Sequence, residues 1–117
     1  MDPDADDPSR APRLPYWAAI FSSRLTDDVD GYQAAAARML ELARVQPGFL
    51  DVESARGADG LGITISYWTD RAALAAWRAQ AEHVLVQAQG VARWYERYSL
   101  RIARVENEST FGRDPLP

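Results

Sequence analysis

The chain contains 117 residues, carries a formal net charge of −4, and has no cysteine and one histidine. This length is sufficient for one domain with a hydrophobic core and too short for two. The absence of cysteine excludes disulfides and thiolate nucleophiles, and because all 13 basic residues are arginine, no lysine can form a Schiff base. A single histidine cannot build a multi-histidine metal site, so we expect neither a metal nor another cofactor.

Charge and hydropathy favour a cytoplasmic protein that binds neither nucleic acid nor a membrane. The sequence pI is about 4.9, whereas a nucleic-acid interface needs a basic face. The sequence has no run of about 18 apolar residues that could span a bilayer. The acidic, proline-rich segment after Met1 contains no apolar stretch of the kind that defines a secretory signal.

Composition divides the chain into one domain and two tails. Residues 1–14 are rich in proline and aspartate, and such a segment buries too little apolar surface to offset the entropy lost on ordering. We therefore expect a disordered N-terminal tail over 1–14, a folded domain over 15–107 and a C-terminal tail over 108–117.

Strand-like and helix-like patterns alternate through the domain. Four stretches have the composition of strands: 16–25, 49–56, 61–68 and 94–105. The first helix is predicted to be capped by Asp27 or Asp28, and the second by Thr69. Both helices carry an apolar stripe at helical spacing. The βαββαβ order predicts a ferredoxin-like α+β fold, with an antiparallel sheet that carries both helices on one face.

The first strand is apolar on both of its faces. All six residues from Tyr16 to Phe21 are apolar, which predicts that both faces are covered. Helices cover only one face of the sheet in a single βαββαβ unit. We therefore expect the other face to pack against a second copy of the chain, forming a homodimer.

Three segments resemble the antibiotic biosynthesis monooxygenase family: QPGFLDVES at 46–54, GITISYWTD at 62–70 and ALAAW at 73–77. The proline-glycine-phenylalanine start of the second strand and the W-T-D-x-x-A-L-x-x-W passage into the second helix are motifs of that family. The resemblance covers about 16–106. It implies a dimeric α/β barrel, in which two ferredoxin-like subunits join their sheets around a shared interior.

The resemblance implies more than one activity, because this scaffold supports several. Some relatives oxidise polycyclic phenols to quinones with molecular oxygen and no cofactor, and others act on quinols. We expect a monooxygenase that acts on a small, flat aromatic phenol or quinol, since such a molecule supplies its own electrons to oxygen once deprotonated. The alternative is a non-catalytic barrel that binds a hydrophobic small molecule in a stress or regulatory role.

Three residues are the candidates for catalysis. His83 corresponds to a histidine in the second helix of many relatives, and an imidazole can act as the base for a phenol. In a straight helix it points away from the apolar stripe, so this role requires a break near Gln80; otherwise His83 is a surface or interface residue. Trp77 is predicted either to stack on the substrate or to pack in the core, and Ser23 to hydrogen-bond a substrate oxygen.

Five further side chains are predicted to line the same cavity, because they combine aromatic rings with polar groups: Phe21, Thr64, Tyr67, Trp94 and Arg101. An arginine there could hold a phenolate or a carboxylate, and Arg56 also occupies a strand position that can face the interior. The alternative for Arg101 is an ion pair across the dimer with Asp51, Glu53 or Glu96.

The resemblance also allows a prediction about haem degradation, an activity of some relatives. Haem-degrading relatives use an asparagine in the first strand, a tryptophan in the second helix and, ten residues later, a histidine that binds iron. These positions correspond to Ser23, Trp77 and Gln87 in this sequence. Glutamine is a poor ligand for haem iron, so haem degradation is disfavoured.

Overall fold

The computed structural model describes residues 13–112. These residues form the following elements: β1 (Tyr16–Leu25), α1 (Tyr32–Arg44), β2 (Phe49–Arg56), β3 (Leu61–Trp68), α2 (Arg71–Gln87), α3 (Val91–Trp94) and β4 (Tyr95–Val105). Residues 1–12 and 113–117, which include most of the predicted N-terminal tail and half of the predicted C-terminal tail, lie outside the described residues. The division of the chain into a domain and two tails therefore stays a prediction.

The element order confirms the predicted ferredoxin-like α+β fold, and the differences lie at the helix ends. α1 follows Gly31, which has a φ of 81° and no side-chain cap, so the predicted capping by the preceding aspartates is wrong. Asp70 caps α2 by accepting a hydrogen bond from the Ala73 N–H at 2.7 Å, where Thr69 was predicted. One helical turn, α3, precedes β4, which starts at Tyr95.

The four strands form one antiparallel sheet in the order β2-β3-β1-β4. The helices pack on the face that carries the odd-numbered residues of β1. Ala19 on that face forms the buried core together with Ala43 of α1, Leu74 of α2 and Trp68 of β3. Trp68 is fully buried and donates its indole N–H to Ser66 Oγ at 3.0 Å, so the core has no orphaned polar atom there.

The other face of the sheet, which we call the open face, carries the even-numbered residues of β1. In the centre of this face Ile20 pairs with Ile65 on β3. Leu61 and Ile63, also on β3, are 40% and 43% exposed. Neighbouring exposed aliphatic side chains on a sheet mark a surface suited to contact with another molecule.

Among the helices of residues 13–112, none combines the length and the apolar character that crossing a bilayer requires.

Candidate functional site

Seven side chains gather on the helix side of the sheet, at the end where α1 begins and β4 starts. We call them the aromatic–arginine cluster: Phe21, Ser23, Tyr32, Arg56, Trp94, Tyr95 and Tyr98. The rings pack mainly edge to face; the centroid of Phe21 lies 5.5 Å from that of Tyr95, and Tyr32 lies 5.7 Å from Trp94. Such geometry is favourable for aromatic pairs and holds the rings in fixed orientations.

The guanidinium of Arg56 is held in place by neutral oxygen atoms. It donates to Ser23 Oγ at 2.9 Å, to the Ser23 carbonyl at 3.2 Å and to the Tyr32 hydroxyl at 3.3 Å, and also to the Gly60 carbonyl. Its carbon Cζ lies 5.8 Å from the centre of the Tyr32 ring. Ser23 is 2% exposed, so one partner of this arginine is fixed inside the fold.

The positive charge of Arg56 has no anionic partner in the described part of the chain. None of the ion pairs among residues 13–112 includes it, and its side chain reaches solvent. A cation that is hydrogen-bonded to neutral acceptors and exposed to solvent is suited to bind an oxyanion.

Gly62 leaves the space that the guanidinium occupies. It lies opposite both Ser23 and Arg56 in the sheet, and a Cβ atom built there would lie 2.4 Å from Arg56 Cζ. A glycine inside a strand often marks such a close approach.

The phenol of Tyr95 is a poor base at neutral pH. Burial raises the pKa of Tyr95, and the neighbouring Tyr32 raises it further, whereas Arg56 lowers it. Tyr95 therefore keeps its proton at neutral pH, and a side-chain hydrogen bond to Tyr32 engages it.

The structure brings some of the predicted site residues together. Ser23, Phe21 and Trp94 belong to the aromatic–arginine cluster. Thr64 lies next to it, because it pairs with Phe21 in the sheet and its hydroxyl lies 2.8 Å from Ser54 Oγ. Trp94 is 1% exposed and donates its indole N–H to the Asp30 carbonyl at 2.7 Å, so its polar edge is already occupied.

Trp77 lies at the opposite end of the helix-side face. Its ring stacks on that of Trp68 with the centroids 6.0 Å apart, and Trp68 pairs with Trp17 in the sheet. Trp17 and Ser23 are six residues apart on β1, which is about 20 Å along a strand. A small ligand bound at Arg56 therefore does not also stack on Trp77.

His83 is exposed, and α2 runs without interruption from Arg71 to Gln87. The break near Gln80 that a catalytic role requires is therefore absent. Nine residues separate His83 from the buried Leu74, which places the two on opposite sides of a helix. The role of His83 in catalysis stays a prediction.

Tyr67 and Arg101 lie on the open face. Tyr67 donates to Glu53 Oε1 at 2.8 Å, and Arg101 to Ser99 Oγ at 2.9 Å. Burial, followed by the contact with Glu53, raises the pKa of Tyr67 to about 12.

A shallow cleft of 260 Å³ lies beside Arg101, with Ser22, Ser99 and Arg97 among its lining residues.

Sequence reasoning missed Tyr32 and Tyr95 as members of the site. Tyr32 is the first residue of α1, and its hydroxyl accepts a hydrogen bond from Arg56. Neither residue has a local sequence signal, because Tyr32 meets Arg56 and Tyr95 meets Phe21 only through contacts between different elements.

Residues 13–112 bring no three histidine, aspartate or glutamate side chains together in the way a metal ion requires. Gln87, which corresponds to the iron-binding position of haem-degrading relatives, is exposed at the end of α2.

Solved structures of other proteins share the fold of this chain. The crystal structure of SnoaB, a cofactor-independent oxygenase from Streptomyces nogalater, superimposes with a TM-score of 0.61 at 18% identity and covers 85% of this chain and 99% of that one. The structure of Rv0793 from Mycobacterium tuberculosis superimposes with a TM-score of 0.62 at 17% identity, over 83% of this chain and 99% of that one. At these identities the likeness concerns the fold.

Sequence comparison is more specific. The uncharacterized protein YqjZ of Bacillus subtilis (strain 168) is 47% identical over 103 residues, which cover 88% of this chain and 90% of YqjZ. The family model for antibiotic biosynthesis monooxygenase matches residues 22–89, a stretch that runs from β1 through α2. The chain therefore belongs to the antibiotic biosynthesis monooxygenase family.

Proposed function

We propose that this chain is a cofactor-independent monooxygenase that oxidises a small aromatic phenol or quinol bound against the aromatic–arginine cluster. The observation that carries the proposal is the guanidinium of Arg56, held by Ser23 and Tyr32 with no carboxylate partner among the described residues. Membership in the monooxygenase family and the fold shared with SnoaB support the type of reaction.

Arg56 has two functions in this mechanism. It orients the substrate oxygen towards the rings of the cluster, and its positive charge lowers the pKa of a bound phenol by favouring the anion. The proton leaves to solvent, which reaches Arg56. The electron-rich anion then reacts with oxygen at carbon. For an anthrone, the methylene carbon loses two hydrogen atoms and gains one oxygen atom, and the second oxygen atom leaves as water.

The test is oxidation of a model anthrone by the purified protein under air, with no added flavin or metal. We expect formation of the anthraquinone with consumption of one oxygen molecule per anthrone, and no reaction under argon. Arg56→Gln should lower kcat/KM at least about tenfold, a loss of about 1.4 kcal/mol of transition-state stabilisation. No rate above background with the wild-type protein contradicts the proposal.

The matched control is Arg24→Gln. Arg24 also donates to the backbone of the β2–β3 hairpin, at the Asp59 carbonyl, with a distance of 2.6 Å. It lies on the open face, however, and so outside the aromatic–arginine cluster. The control should retain activity, which separates the loss of the site from the loss of hairpin support.

A second candidate is a non-catalytic protein that binds an anionic aromatic molecule at the same cluster. It is favoured by the chemistry of the cluster, which contains no carboxylate or imidazole and holds Tyr95 with a raised pKa. Tight binding of 2-naphthoate that depends on Arg56, combined with no anthrone turnover, would support this function over catalysis.

We also propose that the protein is a homodimer that packs the open faces of two sheets together. The exposed side chains of Leu61 and Ile63 and the central pair of isoleucines support this arrangement. Two sheets that pack face to face bury such a layer between them.

A further inference from the structure

A second group of arginines lies on the open face, beside the strand β4. Arg24 pairs with Arg97 in the sheet, and Arg101 lies four residues further along β4 on the same face. Among residues 13–112, Arg24 forms an ion pair with Asp59, whereas neither Arg97 nor Arg101 takes part in one. The whole chain has a net charge of −4, so this corner of the sheet is a local concentration of positive charge in an acidic protein.

The pairing of Arg24 with Arg97 is unfavourable in the absence of an anion. The two residues lie directly opposite each other on neighbouring strands, a position at which like charges destabilise a sheet. An anion beside Arg97 offsets this repulsion. The arrangement therefore favours the protein with an anion bound.

The shallow cleft described above is lined by both unpaired arginines, and we call it the serine–arginine cleft. Between the arginines lie Ser22 and Ser99, which pair in the sheet and whose hydroxyl oxygens are 3.0 Å apart. Arg101 reaches over this pair, because its Nη1 donates to Ser99 Oγ at 2.9 Å. Arg97 lies two residues from Ser99 on the other side, about 7 Å along the strand, which a long arginine side chain can span.

The two serines leave one hydroxyl proton for a ligand. A hydrogen bond between their hydroxyls uses one of the two protons, and the bond from Arg101 uses neither, because Ser99 accepts it. The serine–arginine cleft can therefore offer an oxyanion one hydroxyl group and two guanidinium groups.

We propose that the serine–arginine cleft binds a small organic phosphate, with the phosphate dianion between Arg97 and Arg101 and over the serine pair. Two guanidinium groups balance two negative charges, and their N–H groups match the spacing of phosphate oxygens. A monocarboxylate would leave one of the two cations without a partner.

The size and the wall of the cleft define the organic part of this ligand. The volume of 260 Å³ lies just below the range of about 300–1,000 Å³ that is typical of pockets for drug-sized ligands, so the organic group is small. Leu61 lines the cleft and is 40% exposed, which provides an apolar contact for that group.

The binding groups of the cleft are separate from the aromatic–arginine cluster. Ser23 and Tyr98 of the cluster border the cleft, but they alternate along their strands with Ser22 and Ser99 and so belong to the helix side. Because β4 is an edge strand, the cleft lies at the rim of the open face. The inference therefore rests neither on the oxygenase activity nor on the homodimer.

The test compares n-propyl phosphate with butyrate, which share a propyl chain and differ in the anionic group. At pH 8 a phosphate monoester is a dianion, because its second pKa is near 6. We expect calorimetry at low salt to show that n-propyl phosphate binds the wild-type protein at least about tenfold more tightly than butyrate. Equal affinities, or no binding of n-propyl phosphate, overturn the proposal.

Inorganic phosphate distinguishes an ester from the free ion. It makes no contact with Leu61, so it should bind at least about threefold more weakly than n-propyl phosphate. Binding of inorganic phosphate as tight as that of the ester overturns the assignment to an organic phosphate.

The variants Arg97→Gln and Arg101→Gln should each raise the dissociation constant of n-propyl phosphate at least about tenfold. Arg104→Gln is the matched control, since it removes one positive charge from the same strand. Arg104 pairs with Trp17 on the helix side and forms an ion pair with Glu106, so R104Q should bind within about threefold of the wild type. If R104Q weakens binding as much as R97Q does, the effect is one of net charge and the proposed site is wrong.

Arg56→Gln separates this proposal from the proposed function. Because Arg56 lies on the other side of the sheet, R56Q should bind n-propyl phosphate within about threefold of the wild type. Loss of binding in R56Q, with retention in R97Q and R101Q, would place the phosphate at the aromatic–arginine cluster and overturn the serine–arginine site. Circular dichroism checks that each variant is folded.

Discussion

At the scale of single residues, the site depends on how one arginine is held. The hydrogen bonds to neutral oxygens orient the Arg56 guanidinium without neutralising its charge. Had a carboxylate occupied the place of Ser23, the pair would satisfy itself and leave little attraction for a ligand. The chemistry of the site therefore follows from the neutral partners as much as from the arginine.

Gly62→Ala tests this arrangement without removing any charge. The new Cβ atom would lie 2.4 Å from Arg56 Cζ, so the guanidinium must move. We expect the affinity for 2-naphthoate, measured by calorimetry, to fall at least about tenfold. Gly112→Ala, where nothing lies within 4 Å of the added atom, is the control. Unchanged affinity in G62A would mean that the held position of Arg56 does not matter for binding.

At the scale of elements, α2 decides which of its side chains can reach the site. The helix runs for 17 residues from its Asp70 cap, and its packing against the sheet turns Leu74 and Trp77 inwards. An uninterrupted helix then holds His83 on the outer side, since the orientation of each side chain follows from that of its neighbours at 100° per residue.

The variant His83→Ala therefore distinguishes two hypotheses: catalysis at the aromatic–arginine cluster, and catalysis with His83 as the base. We expect the rate of anthrone oxidation to stay within about twofold of the wild type, because most substitutions at exposed positions have small effects. Gln80→Ala, one turn earlier on the same exposed side, is a control for changes to the helix. A loss of activity in H83A that Q80A does not share would restore His83 as the base.

At the scale of the whole molecule, the helices within residues 13–112 cover one face of the sheet and leave the other uncovered. A single domain of this size buries at most about two-thirds of the surface that its unfolded chain exposes. In this fold, aliphatic side chains of the open face stay exposed to solvent. Burial of this layer between two subunits adds hydrophobic stabilisation in proportion to the apolar area removed from water.

Ile63→Asp is expected to weaken the dimer strongly. A carboxylate buried between two sheets without a partner is costly, so sedimentation velocity should show mainly monomer at concentrations where the wild type is dimeric. Val86→Asp on α2, at a position that is 67% exposed and away from the open face, should leave the dimer intact. Circular dichroism checks that both variants fold. A dimeric, folded I63D protein would contradict packing through the open face.

Much of the fold was predictable from the sequence, because its cause is local. β1, β2 and β3 begin and end at the predicted residues, since alternating and β-branched residues bounded by turns are a short-range signal. Helix starts were less predictable, because α1 begins after a glycine with positive φ and not after a capping aspartate. The family motifs lie at the junctions between elements, and the sequence comparison confirms the family that they indicate.

The composition, the order of elements and the family followed from the sequence by itself, because propensity, periodicity and motif spacing act over a few neighbouring residues. The arrangement of the site was decided only by tertiary structure. Ser23, Tyr32 and Arg56 come from three different elements, and nothing in their spacing indicates that they meet. Their contacts depend on the register with which β1 and β2 pair with β3, and on where α1 begins over the sheet. Both are long-range features of packing, which a local sequence pattern does not encode.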